Sequence, residues 1–179
     1  DVIAVLKDSE WAKVAKTDYY VEARIKPQIN STTGNKHLYL LGRYQDASNW
    51  YLGGMNVQTA TTSTQVEAGF RKAGTITRAI QAKRAIIQGT QGSSDPATIG
   101  QWYTIRLEMI GSALTVYMDG EKLGTTADTA FTSGKIGLFT ANKSFLIDDI
   151  KVGDPAIKPV QLTLAPSALT YAAEANDAP

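Results

Sequence analysis

Apolar and polar residues alternate with a period of two through most of the chain between Tyr19 and Val152. In Tyr19–Lys26, the residues Tyr19, Val21, Ala23 and Ile25 share one face. Tyr20, Glu22, Arg24 and Lys26 share the other. Trp102–Met109 repeats the pattern, with Tyr103, Ile105, Leu107 and Met109 against Trp102, Thr104, Arg106 and Glu108. Such alternation predicts half-buried antiparallel strands. Leu114, Val116 and Met118 continue it, Asp119-Gly120 reads as a hairpin turn, and Glu121–Thr125 as the return strand. Shorter runs at His37–Gln45, Asn49–Asn56, Gln65–Phe70, Ile136–Thr140 and Ser144–Val152 also read as strands. Turn signals separate them at Thr33-Gly34-Asn35, Asp46–Asn49, Ser133-Gly134 and Ala141-Asn142. Only Ile76–Ile87 passes as a short helix, and Thr75, Thr77 and the β-branched isoleucines argue against it. Short strands with frequent turns predict a sandwich or a barrel.

A chain of 179 residues suffices for one domain with its own core. The composition shifts at Gly153, where Asp154-Pro155 and Lys158-Pro159 mark a linker. The expected division is a sandwich over 1–154, then a linker and the start of a following unit over 155–179. Because the sequence opens on Asp1 with no basic n-region and apolar stretch, it reads as a mature or excised fragment. No apolar run approaches the roughly 20 residues of a membrane span. The absence of cysteine excludes disulfides and thiolate chemistry, and the single histidine, His37, excludes a His-rich zinc site. A formal net charge of +1 gives no global field for nucleic acid.

Four segments carry a resemblance to a known family. They are Thr17-Asp18-Tyr19-Tyr20-Val21-Glu22-Ala23, Gly42-Arg43-Tyr44-Gln45-Asp46-Ala47-Ser48-Asn49-Trp50-Tyr51, Gly100-Gln101-Trp102-Tyr103, and Ser144-Phe145-Leu146-Ile147-Asp148-Asp149-Ile150-Lys151-Val152. Tyr117-Met118-Asp119-Gly120 followed by Ser133-Gly134-Lys135-Ile136-Gly137 fits the same pattern. Roughly three quarters of the chain, Thr17 to Asp154, thereby resembles the concanavalin A-like lectin/glucanase modules attached to bacterial pectate lyases and other polysaccharide-degrading enzymes. It is similar also to the related 3-keto-disaccharide hydrolase domain. The resemblance implies an all-β, antiparallel two-sheet β-sandwich of jelly-roll type. It implies a non-catalytic carbohydrate-binding module of a secreted, extracellular bacterial polysaccharide lyase or glycoside hydrolase. A structural spacer packed on the catalytic domain and a glycoside-cleaving domain stand as alternatives, since one fold hosts many functions. Set against the family, the chain enters one or two strands late, so either the piece is clipped or the missing strands lie on a second chain that completes the sheet. The tail after Pro159 resembles the first strand of an immunoglobulin-like domain.

Three groups of residues are candidates for chemistry. Asp148 alternates with Leu146, Ile150 and Val152, so a core on that face would bury a carboxylate. The resemblance implies a structural calcium there, and pairing with an arginine is the other reading; Asp149 is expected at the solvated rim. Arg43, Tyr44, Trp50 and Tyr51 flank the Asp46–Asn49 turn and combine aromatic faces with a planar hydrogen-bonding group, the equipment of sugar recognition. Arg43 reads as a core partner for Asp148 or as a ligand clamp. From Ala68 to Ser94 there is no acidic residue, whereas Arg71, Lys72, Arg78, Lys83 and Arg84 are basic. Arg71, Lys83 and Arg84 are therefore expected to join the hairpin in holding an anionic, uronate-bearing polysaccharide. Glu22, Glu67 and Glu108 do not form a paired acid set for glycoside hydrolysis, and His37 reads as a surface residue rather than a base.

Overall fold

The computed structural model describes residues 2–12, 14, 16–29, 36–58, 64–90, 100–141 and 145–155. The expected turn at residues 33–35 and the tail after Pro159 lie outside them. The described residues form twelve strands and one short helix. In chain order these are β1 (Val2–Val5), α1 (Asp8–Trp11), β2 (Tyr19–Ile29), β3 (His37–Asp46), β4 (Asn49–Asn56), β5 (Gln65–Lys72) and β6 (Thr75–Lys83). They continue with β7 (Gly89–Thr90), β8 (Tyr103–Ile110), β9 (Ala113–Met118), β10 (Glu121–Ala127), β11 (Lys135–Ala141) and β12 (Phe145–Gly153).

Two sheets result. The first has the order β1-β11-β3-β4-β5-β6, and the second β10-β9-β8-β2-β12, with β7 added parallel to the end of β2. All the other pairings are antiparallel. This is the expected antiparallel two-sheet jelly-roll sandwich. The core follows from the alternation: Tyr19, Val21, Ala23 and Ile25 of β2 and Ile105, Leu107 and Met109 of β8 face Leu38, Leu40, Tyr51, Met55, Val66 and Ala68 of the first sheet, all buried. The sheets approach closely at Gly53, where a Cβ would lie 2.8 Å from Leu107 Cβ. The ambiguous Ile76–Ile87 stretch resolves as β6, paired along its length with β5.

Ahead of Thr17, where the resemblance starts, Val2–Val5 pairs with β11 through Val2↔Thr140 to Val5↔Gly137 and forms an edge of the first sheet. The four-residue strand is too short to show a period. One expectation is corrected: Asp148 does not face the core. The pairing of β12 with β2 shifts between Asp148 and Lys151, and Asp149 takes a left-handed φ of 52°. This bulge breaks the alternation. Phe145, Ile147 and Val152 pack on the core, whereas Leu146 and Ile150 are half exposed.

Candidate functional site

The predicted hairpin cluster is mostly structural. Arg43 is fully buried, with a left-handed φ of 44° at a register shift between Gly42 and Asp46. Its guanidinium donates from Nε to Thr17 O (3.1 Å), from Nη1 to Gly111 O (2.7 Å) and Phe131 O (3.0 Å), and from Nη2 to Thr17 O (2.9 Å). Its acidic partner is Asp18, 3.1 Å from Nη2, not Asp148. With its donors committed to loop carbonyls, Arg43 holds the end of the sandwich together and has no role as a ligand clamp. Trp50 is fully buried and donates from Nε1 to Ala47 O at 3.2 Å. Tyr51 lies in the inter-sheet core; its hydroxyl donates to Asp128 Oδ1 (2.9 Å) and accepts the Phe131 N–H (3.0 Å). Burial pushes its pKa up to about 12. Tyr44 packs partly buried beside Trp50.

The basic segment divides by strand face. Lys72 pairs with Asp128, and Arg84 Nη2 lies 2.7 Å from Glu121 Oε1 of β10; both tie the first sheet to the second. Arg71 stacks over Trp50 at 5.6 Å on the face of the first sheet turned away from the core. Arg78 and Lys83 share that outer face, being paired with Gly69 and Gln65. Asp148 is exposed, 3.9 Å from Arg24 Nη1, and Asp149 sits 3.6 Å from the same nitrogen. A guanidinium thus occupies the place between the two acids. No group of three or more His, Cys, Asp or Glu able to hold a metal occurs among the described residues. The donor set therefore does not fit a calcium ion, which needs several oxygen ligands.

The same outer face carries a buried polar network that the strand patterns did not reveal. Glu67 is fully buried there. The Tyr39 hydroxyl donates to its Oε2, Asn56 Nδ2 to its Oε1 at 3.2 Å, and Arg78 Nε lies 3.1 Å from Oε2. Arg78 Nε also donates to the Tyr39 hydroxyl at 3.1 Å, and Nη2 lies 3.2 Å from His37 Nε2. Arginine can only donate, so His37 accepts at Nε2 and keeps its own proton on Nδ1. Burial, aided by the Arg78 charge, lowers the His37 pKa to about 4. Burial also raises the Tyr39 hydroxyl well above its usual range, and the Glu67 charge adds to the shift. Burial opposes the charge of Arg78, but Tyr39 and Glu67 more than offset this and raise its pKa.

Strand register builds the network. Tyr39 of β3 and Glu67 of β5 both lie opposite Gly54 of β4. With no side chain at 54, the Tyr39 hydroxyl reaches across the intervening strand to the carboxylate. A Cβ at 54 would lie 2.1 Å from Leu38 O. Next to the network, His37 stacks on Tyr39, Tyr39 on Phe139, and Phe139 packs against Trp50, with centroids 5.2, 5.8 and 5.5 Å apart. The result is a rigid base from which Arg78, one quarter exposed, emerges between Arg71 and Lys83. His37, expected at the surface, is 7% exposed. The network joins residues of four strands, so no local motif announces it. The one signal was Glu67 inside the otherwise apolar run Val66-Glu67-Ala68-Gly69-Phe70.

Fold and core together define a concanavalin A-like lectin/glucanase module. The chain belongs to the 3-keto-alpha-glucoside-1,2-lyase-like domain family, whose pattern matches residues 6–153. No match to a curated protein sequence is found. Among solved structures the chain is similar to the carbohydrate binding module CBM66 from Bacillus subtilis, with 19% identity, a TM-score of 0.59, and coverage of 78% of this chain and 77% of that one. It is also similar to the Caenorhabditis elegans galectin LEC-6, with 10% identity, a TM-score of 0.50, and coverage of 85% and 89%.

Proposed function

We propose that this domain binds an anionic, uronate-bearing polysaccharide on the outer face of the first sheet, with Arg78 as the central contact and Arg71 and Lys83 beside it. The observation that carries this reading is the burial of Glu67 on a face turned away from the core. A carboxylate there is costly where an apolar residue would serve. It fixes the Arg78 guanidinium, together with Tyr39 and His37. A guanidinium held in one plane suits bidentate binding of a sugar carboxylate. In this reading the domain works outside the cell as one module of a polysaccharide-degrading enzyme and raises the effective concentration of polymer at the catalytic unit.

Affinity electrophoresis through gels containing polygalacturonate, alginate or a neutral glucan tests it. The wild-type domain is expected to be retarded by the two polyuronates, with a dissociation constant of roughly micromolar to millimolar. Arg78→Ala should weaken that by about tenfold or more, the worth of one charge-assisted pair. Added salt should release it. Free migration of the wild-type domain in both polyuronates would leave the spacer reading in its place.

A second reading, sugar cleavage, has one observation in its favour. His37 is neutral at pH 7 and accepts from Arg78, which in turn meets Glu67, so an imidazole and a carboxylate share one network. The family's description supports an elimination from a 3-keto-glucoside. Release of the aglycone from such a substrate by the isolated domain, abolished in Glu67→Gln and His37→Gln, is the outcome that reading requires.

A further inference from the structure

The outer face of the second sheet, on the opposite side of the molecule, carries a groove of about 230 Å³ lined by Glu22, Thr104, Arg106, Tyr117 and Gly120. Its polar groups are held in place but not used up. Arg106 Nε donates to Glu22 Oε2 at 2.8 Å, and its Cζ lies over the Tyr20 ring, 3.9 Å from the centroid. That hydrogen bond uses one of five N–H donors, and the Nη groups make no hydrogen bond among the described residues. The pair is largely sheltered, with side-chain exposures of 20% for Arg106 and 17% for Glu22. Glu22 Oε1 has no partner among the described residues. The Tyr117 hydroxyl donates to Glu108 Oε1 at 3.2 Å and accepts no hydrogen bond among the described residues. Thr104 uses its main chain, not its hydroxyl, to fasten the Asp119 turn.

We infer that this groove is a second carbohydrate site, taking one neutral sugar ring through a vicinal diol. Adjacent hydroxyls each offer a donor and an acceptor. A carboxylate beside a guanidinium, held together by one hydrogen bond, offers the matching acceptor and donor. The pair has no net charge. Glu22 repels an anionic ligand, Arg106 repels a cationic one, and a neutral polyol satisfies both. The volume equals that of roughly eight liquid waters, which suits a single pyranose ring. Pre-set side chains lower the ordering cost that weakens most sugar contacts. The site shares no residue with the Arg78 network, so either can fail without the other.

The test is an amide ¹H–¹⁵N titration of the whole chain with maltotriose, cellotriose and mannotriose in separate series. Saturable shifts are expected at Glu22, Thr104, Arg106, Tyr117 and Gly120 with at least one trisaccharide. They should be lost in Arg106→Ala and retained in Arg78→Ala. Because Arg106→Ala also frees Glu22 and Tyr20, Thr104→Val is the second variant. It is isosteric, leaves the ion pair intact, and should weaken binding about fivefold, one hydrogen bond's worth. Absence of shifts at these residues with all three sugars overturns the inference, as do shifts that survive unchanged in either variant. Polyuronate retardation lost in Arg78→Ala but not in Arg106→Ala reports on the first site alone.

Discussion

Arg43 and His37 show how much at residue scale depends on where the backbone turns. Alternation along β3 puts both on the outer face, yet a left-handed residue at the register shift swings Arg43 into the loops at the end of the sandwich. There it satisfies carbonyls of Thr17, Gly111 and Phe131. Arg43→Ala removes the charged donor of these part-buried hydrogen bonds, each worth about 1.5–3 kcal/mol. A loss of at least about 3 kcal/mol in urea unfolding is the expected result, with specificity unchanged in whatever remains folded. His37 sets a pH dependence. Its folded pKa of about 4 lies below the ordinary 6.5, so between those values the unfolded chain binds more protons. The stability this group contributes is fully present above pH 6.5 and is lost as pH falls toward 4. Thermal melts across that window should show a falling midpoint that is shallower in His37→Gln. The sequence shows a lone histidine opening a strand; the cation that neighbours it sits on β6, 41 residues on, and only pairing of the strands brings it there.

At the scale of elements, the pattern of alternation was a reliable guide and its breaks were the places where it failed. The bounds of β4 are those expected, and β2, β3, β8 and β9 differ by a few residues. These strands have one apolar face in contact with the opposing sheet, which is what a period of two records. The short β1 escaped it for lack of length; β12 was read within a residue at each end, but the facing of Asp148 was not, because the periodicity is interrupted at Asp149. Of the five basic residues in that segment, Arg71, Arg78 and Lys83 lie on the outer face of the first sheet, and Lys72 and Arg84 pair with Asp128 and Glu121. Charge along a strand does not say which side of the sheet will hold a counter-ion. The close approach of the two sheets at Gly53 gives a test of packing. Gly53→Val places a branched side chain against Leu107, and overpacking of this kind costs about 1–3 kcal/mol. A lowered denaturation midpoint with an unchanged slope is the expected signature.

The whole molecule is tied together by pairings between distant parts of the chain. β1 pairs with β11, and β2 with β12. Such topologies close long loops before they gain contacts, and fold in about milliseconds to seconds rather than microseconds. Stopped-flow refolding followed by the fluorescence of Trp50, buried in this fold, should fall in that range. A microsecond phase carrying the full amplitude would mean that Trp50 is shielded by local structure instead. The two proposed sites, one basic and one neutral, lie on opposite faces of this frame, and with both in use a single copy would bridge two strands of a mixed polymer. Bridging crowds many copies side by side, and crowded sandwiches risk zipping together along their bare margins. The kink at Asp148–Lys151, with its two acids pointing to solvent, spoils the margin formed by β12 as a template for another strand. A coat of these domains on a fibre would accordingly stay a coat, each copy detachable, instead of setting into an aggregate of its own.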